Sequence, residues 1–318
     1  MSGSTPGGAP GSATESGAPA PQITERPAPQ QEGISERALA RIFITPSFVV
    51  MAAIALFPIL YAAYESLFDF TFFTREDFVG LANYVDQLTS PRFWTAVFVT
   101  IAFTVVSVTL EFIVGMIFAL IMNAAFRGRN VTRAVILLPW VIPTVIAGQM
   151  WRYLFEQRPG YINEWLGLGA IDWLGSGASM FWAVVIADWW KTSPFVALLL
   201  LAGLQTIPQE TYEAAKVDGA TWWQRFRNVT LPLLAPSIVV ALLFRSVDAL
   251  RIFDLADVMT NARLETLSVL AQRSIVRDPQ PDVANALAVL TFILIMGIGL
   301  LFISLMGRDV VGDPEEGS

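Results

Sequence analysis

The stretch TIPQETYEAAKVDGATWWQRFRNVTLPLLAP, Thr206 to Pro236, is polar, dense in helix punctuation and set between two long apolar runs. Its pattern predicts two short helices folded against each other. Pro208 suits a first helical turn, where its missing N–H is not needed, and Glu210 favours the positive end of the helix dipole. Gly219 supplies the stop. Thr221 and Gln224 then form the S/T-x-x-E/Q capping box that opens the second helix, whose apolar side is Trp222, Trp223, Phe226 and Val229. Ala214 and Ala215 leave the backbone nearly bare beside Glu213, so another protein surface can approach there. The competing expectation is an amphipathic helix resting on a lipid interface, with Trp222 and Trp223 as anchors.

Composition bounds the rest. Of 318 residues, 54% are apolar and 15% charged, and several apolar runs exceed the ~20 residues that cross a bilayer. The expected fold is all-α, a polytopic membrane protein. Cysteine and histidine are both absent, which removes disulfides, thiolate nucleophiles, His-based triads and imidazole metal sites. A net charge of −7, partly from the acidic run Asp313 to Glu316, offers no surface for nucleic acid.

Residues 1–33 are rich in Gly, Ala, Pro, Ser and Thr and lack an apolar cluster, so they are expected to be a disordered tail rather than a signal peptide. Residues 34–308 then read as six spans, with 309–318 as a C-terminal tail. The spans are about Ile42–Ser66, Phe93–Asn123, Val131–Phe155, Met180–Leu204, Leu233–Val258 and Val283–Met306. The second holds Glu111, and the third contains Pro139 and Pro143. Arg127, Arg129, Arg133, Lys216, Arg225 and Arg227 gather in the loops that share a side with the termini. That bias places both termini on the cytoplasmic side of the membrane, and the segment 206–232 with them.

Charges inside spans face a bundle interior or a wet cavity. In the fourth span Asp188, Lys191, Thr192 and Phe195 fall on one helical face. In the fifth, Arg245, Asp248, Ala249 and Ile252 share a face, while Arg245, Asp248, Arg251 and Asp254 form a stripe that rotates by ~60° per step. Two expectations compete. Arg251 and Asp254 are expected to be ion-paired and to hold helices together, whereas Asp188 and Asp248 are expected to line a solute path.

Glu213-Ala214-Ala215, Asp218-Gly219 and Leu231-Pro232 at their spacing resemble the EAA loop of the membrane subunits of binding-protein-dependent ABC importers. VSVTLEFIVG, DWWKTSPFVALLLLAGL and ALLFRSVDALRIFD resemble the maltose/trehalose permease branch of that family, over about Arg41 to Arg308. The resemblance implies a type I importer permease. Its EAA loop would couple to an ATPase subunit through Glu213, Ala214, Ala215, Asp218, Gly219, Leu231 and Pro232. The sugar would pass along Asp188, Lys191, Thr192, Phe195, Arg245, Asp248, Ala249 and Ile252. The implied partners are a second homologous permease, an ATPase dimer carrying ATP and magnesium, an extracytoplasmic sugar-binding protein and the lipid bilayer. No cofactor is expected on this chain, since it has no G-x-x-x-x-G-K-[ST] loop.

The substrate expected from this is a disaccharide such as trehalose or maltose, with glycerol phosphate or an oligosaccharide as alternatives. A proton-coupled secondary transporter using Asp188 and Asp248 as relays is a further class, but it has no use for an EAA loop. An intramembrane aspartyl enzyme would need the same two carboxylates converging on one water, and no accompanying motif supports it.

Overall fold

The computed structural model describes residues 36–71, 73–156, 160–169, 171–175 and 177–310. The expected tail at 1–33 and residues 311–318 lie outside them. Among the described residues, those up to Ile54 form one unit and those from Ala55 onward a second. Helix α1 is Glu36–Glu65. A hairpin, β1 (Phe68–Thr71) paired antiparallel with β2 (Thr74–Phe78), follows and leads to α2 (Ala82–Thr89). Asn83 ties that helix back to the hairpin, its Nδ2 donating to the carbonyls of Ser66 and Phe68, both at 3.0 Å.

The long apolar helices come next: α3 (Pro91–Asn123), the pair α4 (Arg129–Val141) and α5 (Thr144–Phe155), the short α6 (Tyr161–Leu166), then α7 (Gly177–Thr206). Beyond lie α8 (Gln209–Val217), α9 (Trp222–Arg225), a π turn (Phe226–Thr230), α10 (Leu231–Leu250), α11 (Asp254–Thr260), α12 (Leu267–Val276) and α13 (Pro281–Val310). Among the described residues five helices are long and apolar enough to cross a membrane, and six spans result if α4 and α5 count as one.

The third span, expected over Val131–Phe155 with Pro139 and Pro143 inside, is sharply bent, because α4 and α5 meet at 91°. Pro143 is the cause. It has no N–H to continue the ladder, and its ring drives Ile142 to extended backbone (ψ 130°). Thr144 then opens a new helix.

The fifth span differs too. It was expected at Leu233–Val258 with a separate short helix before it, but helix runs without interruption from Trp222 to Leu250. The π turn makes this possible: the Leu231 N–H bonds back five residues to the Phe226 carbonyl just before Pro232, which can donate nothing. At the far end the helix stops at Leu250, eight residues early. The freed Ile252 carbonyl accepts from Thr266 Oγ1 at 3.0 Å, and Asp254 and Asp257 occupy the first turn of α11.

Packing centres on α3 and α7. They approach closely because Gly115 faces Val196, where a Cβ on residue 115 would lie 2.9 Å from that of Val196. One buried cluster joins Phe103, Val184 and Ala187 to Leu255 and Met259; another joins Met116 and Ala119 to Val196, Leu200 and Leu234. Thr100 and Thr104 sit in α3 without orphaned hydroxyls, each donating to the carbonyl four residues back, at 2.8 and 2.9 Å. At the start of α3, Arg92 grips Glu265 with two bonds of 2.9 and 2.7 Å, and Arg273 adds a third at 2.7 Å. The Arg92 hydrogen bonds, with the charges of Arg92 and Arg273, hold the Glu265 carboxyl below its ordinary range.

Candidate functional site

Three helices bring charge to one place. Glu111 on α3 is fully buried, Asp188 on α7 nearly so, and the Arg245 guanidinium from α10 lies between them with its side chain only 3% exposed. Arg245 Nε and Nη2 both donate to Glu111, the second at 2.8 Å to Oε1; Nη2 also reaches Asp188 Oδ2, and Nη1 donates to Asp248 Oδ2 at 2.8 Å. Four of the five guanidinium N–H groups are thus engaged by carboxylates. Ser107, one turn before Glu111, places its Oγ 2.7 Å from both Glu111 Oε1 and Asp188 Oδ2.

A cavity of about 340 Å³ opens beside this knot, lined by Asp188, Lys191, Thr192, Arg245, Asp248 and Ile252, together with Thr144, Arg251, Phe253, Asp254 and Leu255. Three carboxylates and three cations border it, so the lining is charged yet balanced. The side chains differ in what they can offer a solute. Asp248 and Arg251 are 60% and 64% exposed, with Arg251 Nη2 3.7 Å from Asp248 Oδ1. Asp188 and Arg245 present only an edge: Arg245 has spent its donors on Glu111, Asp188 and Asp248, and Asp188 Oδ2 is taken by Arg245 and Ser107. Thr192 Oγ1 donates to the Asp188 carbonyl at 2.7 Å and keeps its acceptor lone pairs.

Lys191 plays a part that spacing could not show. Its Nζ donates at 2.8 Å to the carbonyl of Ile142, the group freed where the third span breaks. An ammonium expected to face solute therefore also closes the bend that Pro143 opens.

Of the eight residues expected along the solute path, six line the cavity and two do not. Phe195 stacks on Trp140 with ring centroids 5.8 Å apart, and Ala249 is completely buried in the packing of α10. The aromatic ring at the cavity is Phe253, out of reach of helical periodicity because it follows the end of α10. The expected helix-holding pair of Arg251 and Asp254 is absent among the described residues. Helix α10 ends at Leu250, ahead of both, so Arg251 pairs instead with Asp248 and Asp254 becomes the acidic first turn of α11. Glu111 was passed over as a site residue, although an acid inside an apolar span with a serine four residues earlier was a legible signal.

The polar segment before α10 forms an exposed knuckle. Gly219 stands in the left-handed region at φ +78°, with the Gly219 N–H bonded to the Lys216 carbonyl at 3.0 Å and the Ala220 N–H to that of Ala215 at 2.9 Å. Thr221 and Gln224 make the reciprocal capping box. Glu213, Ala214 and Asp218 are exposed, and Trp222 and Trp223 are 61% and 59% exposed, with Trp222 stacked on Phe226. Leu231 is half-buried and Pro232 exposed at the start of α10.

Residues 111–308 match the family described as binding-protein-dependent transport system inner membrane component. The chain is 41% identical to the trehalose/maltose transport system permease protein MalF of Thermococcus litoralis, over 86% of this chain and 95% of that one. It is 38% identical to the trehalose transport system permease protein SugA of Mycobacterium tuberculosis, over 89% and 94%. A crystal structure of a bacterial ABC transporter that imports the acidic polysaccharide alginate shares the fold, with a TM-score of 0.70 at 20% identity over 85% of this chain and 95% of that one.

Proposed function

Because this chain belongs to the family of binding-protein-dependent transport system inner membrane components, we propose that it forms half of the translocation path of an ATP-driven sugar importer. It is a transport component and not an enzyme. The sugar is a disaccharide of the trehalose or maltose kind, as the names of its relatives suggest. The observation that carries the reading is the cavity between α7 and α10, the two helices that flank the knuckle. Sugar hydroxyls take charge-assisted hydrogen bonds from exposed carboxylate and guanidinium groups, here Asp248 and Arg251, and a ring such as Phe253 offers a face to the apolar side of a pyranose.

In this reading the knuckle at Glu213, Ala214, Ala215, Asp218 and Gly219 docks on an ATPase dimer, which holds ATP and magnesium. A second homologous permease completes the path, a binding protein delivers the sugar, and both termini are cytoplasmic. Closure of the ATPase pair shifts the two permeases between outward and inward access.

The test is ATP-dependent disaccharide uptake by the reconstituted transporter carrying Asp248→Asn. The change keeps shape but loses charge-assisted bonds worth ~1.5–3 kcal/mol, so KM should rise roughly 10- to 150-fold at full complex yield. Unchanged affinity with poor yield would mean that Asp248 serves Arg245 alone and touches no sugar.

A further inference from the structure

Glu111 stands on a helix that contributes nothing to the cavity wall, and its carboxylate is sealed from it. Charge balance does not call for it either. Asp188 already neutralises Arg245, and a second buried carboxylate adds its own desolvation cost. What Glu111 contributes is geometric. By accepting from both Nε and Nη2 it grips one edge of the planar guanidinium at two points, which fixes the plane and leaves Nη1 aimed at Asp248 Oδ2. Ser107 braces the grip by touching Glu111 and Asp188 at once.

We infer that Glu111 is a positioning residue of the solute path: acting through Arg245, it sets where the exposed Asp248 carboxylate stands. With the guanidinium held, Asp248 is drawn toward Nη1 at 2.8 Å and kept 3.7 Å from Arg251, so one oxygen stays available to a sugar hydroxyl. With the grip removed, the guanidinium turns toward Asp188 alone, and Asp248 is released to swing onto Arg251. The inference rests on the reading of Asp248 as a sugar contact.

A double-mutant cycle on KM for ATP-driven disaccharide uptake by the whole reconstituted transporter tests it, using Glu111→Gln, Asp248→Asn and both together. The single Glu111→Gln change should raise KM about 10-fold with assembled complex retained, and the double variant should be no weaker than Asp248→Asn to within about twofold, since nothing is left to aim. A purely structural Glu111 would lower yield at unchanged KM, or its effect would multiply with that of Asp248→Asn; either result overturns the inference. If Asp248→Asn raises KM and Glu111→Gln does not, the inference alone falls. If Asp248→Asn leaves KM unchanged, the sugar-contact reading falls and takes the inference with it. Should Glu111→Gln fail to assemble, Ser107→Ala enters the same cycle: a KM increase absorbed in the Asp248→Asn background supports the positioning role, and an unchanged KM overturns it.

Discussion

Replacing Arg245 by glutamine removes the cation that Glu111 and Asp188, the two buried carboxylates of the knot, rely on. The Glu111 and Asp188 side chains are 0% and 8% exposed, and the amide of glutamine donates two N–H groups where the guanidinium gave four. Breaking a buried pair from one side costs about 3–5 kcal/mol, and here two carboxylates are left without their partner. Against a native margin of about 5–15 kcal/mol, even the lower figure changes the ratio of folded to unfolded protein by roughly 150-fold. The assay is the yield of monodisperse protein in mild detergent and its temperature of aggregation, with Arg251→Gln alongside. Arg251 and its neighbour Asp248 are both more than half exposed, so that control should lose under about 1 kcal/mol. A triple variant, Arg245→Gln with Glu111→Gln and Asp188→Asn, strands no charge and should recover most of the loss. If Arg245→Gln is as robust as Arg251→Gln, or if the triple variant is no better than the single one, the three-helix charge knot is not what holds α3, α7 and α10 together.

Gly115→Ala should cost about 1–3 kcal/mol by overpacking against Val196, read as a lower aggregation temperature, and Val196→Ala in the same chain should restore it; an unaffected single variant would show that α3 and α7 are not in close contact there. Gly219→Val should impair sugar-stimulated ATP hydrolysis while leaving membrane insertion intact. The cost comes from the left-handed backbone at about 1 kcal/mol or more, since nothing crowds the position, and normal stimulation would count against the knuckle as the coupling element. The depressed Glu265 carboxyl gives a pH signature: its contribution is complete above the ordinary carboxylate value of about 4.3 and is lost as pH falls through its lower folded value. Thermal stability of Glu265→Gln should therefore be lower at neutral pH and converge on the parent in acid, and a constant gap across that range would refute the clamp.

Local chemistry was the legible part of the sequence. Thr221, Gln224 and Gly219 act within a few residues of themselves, so the capping box and the left-handed stop could be read directly. Helical periodicity also placed Asp188, Lys191 and Thr192 together, because α7 is unbroken there. It failed for Phe195, since a shared face does not say which neighbour covers each turn, and Trp140 covers that one. It failed also for Ala249, which packing buries, and it could not place Arg251 and Asp254, because periodicity presumes a helix and α10 has ended at Leu250; Ile252 reaches the cavity all the same. Pro143 was visible, but its 91° bend and the Lys191 bond that stabilises it depend on packing between two distant segments. The pairing of Arg245 with Glu111, 134 residues earlier, is likewise a tertiary fact with no local pattern.

The uninterrupted helix from Trp222 to Leu250 has a mechanical consequence. At ~1.5 Å per residue its 29 residues make a rod about 43 Å long, with the indoles at one tip and Arg245 and Asp248 near the other. Between the two, the π turn at Phe226–Thr230 and Pro236 are the places where the rod can bend; where they stay packed, a push at the tip is carried along it. Tilting it by about 10° around its middle carries each end roughly 4 Å, more than the length of any bond in the charge knot. A displacement of the tryptophan end that does not bend the helix at the π turn or Pro236 must either break Arg245 away from Glu111 and Asp188 or drag α3 and α7 with it, so that a load applied at one face of the protein is felt as a pull at the cavity.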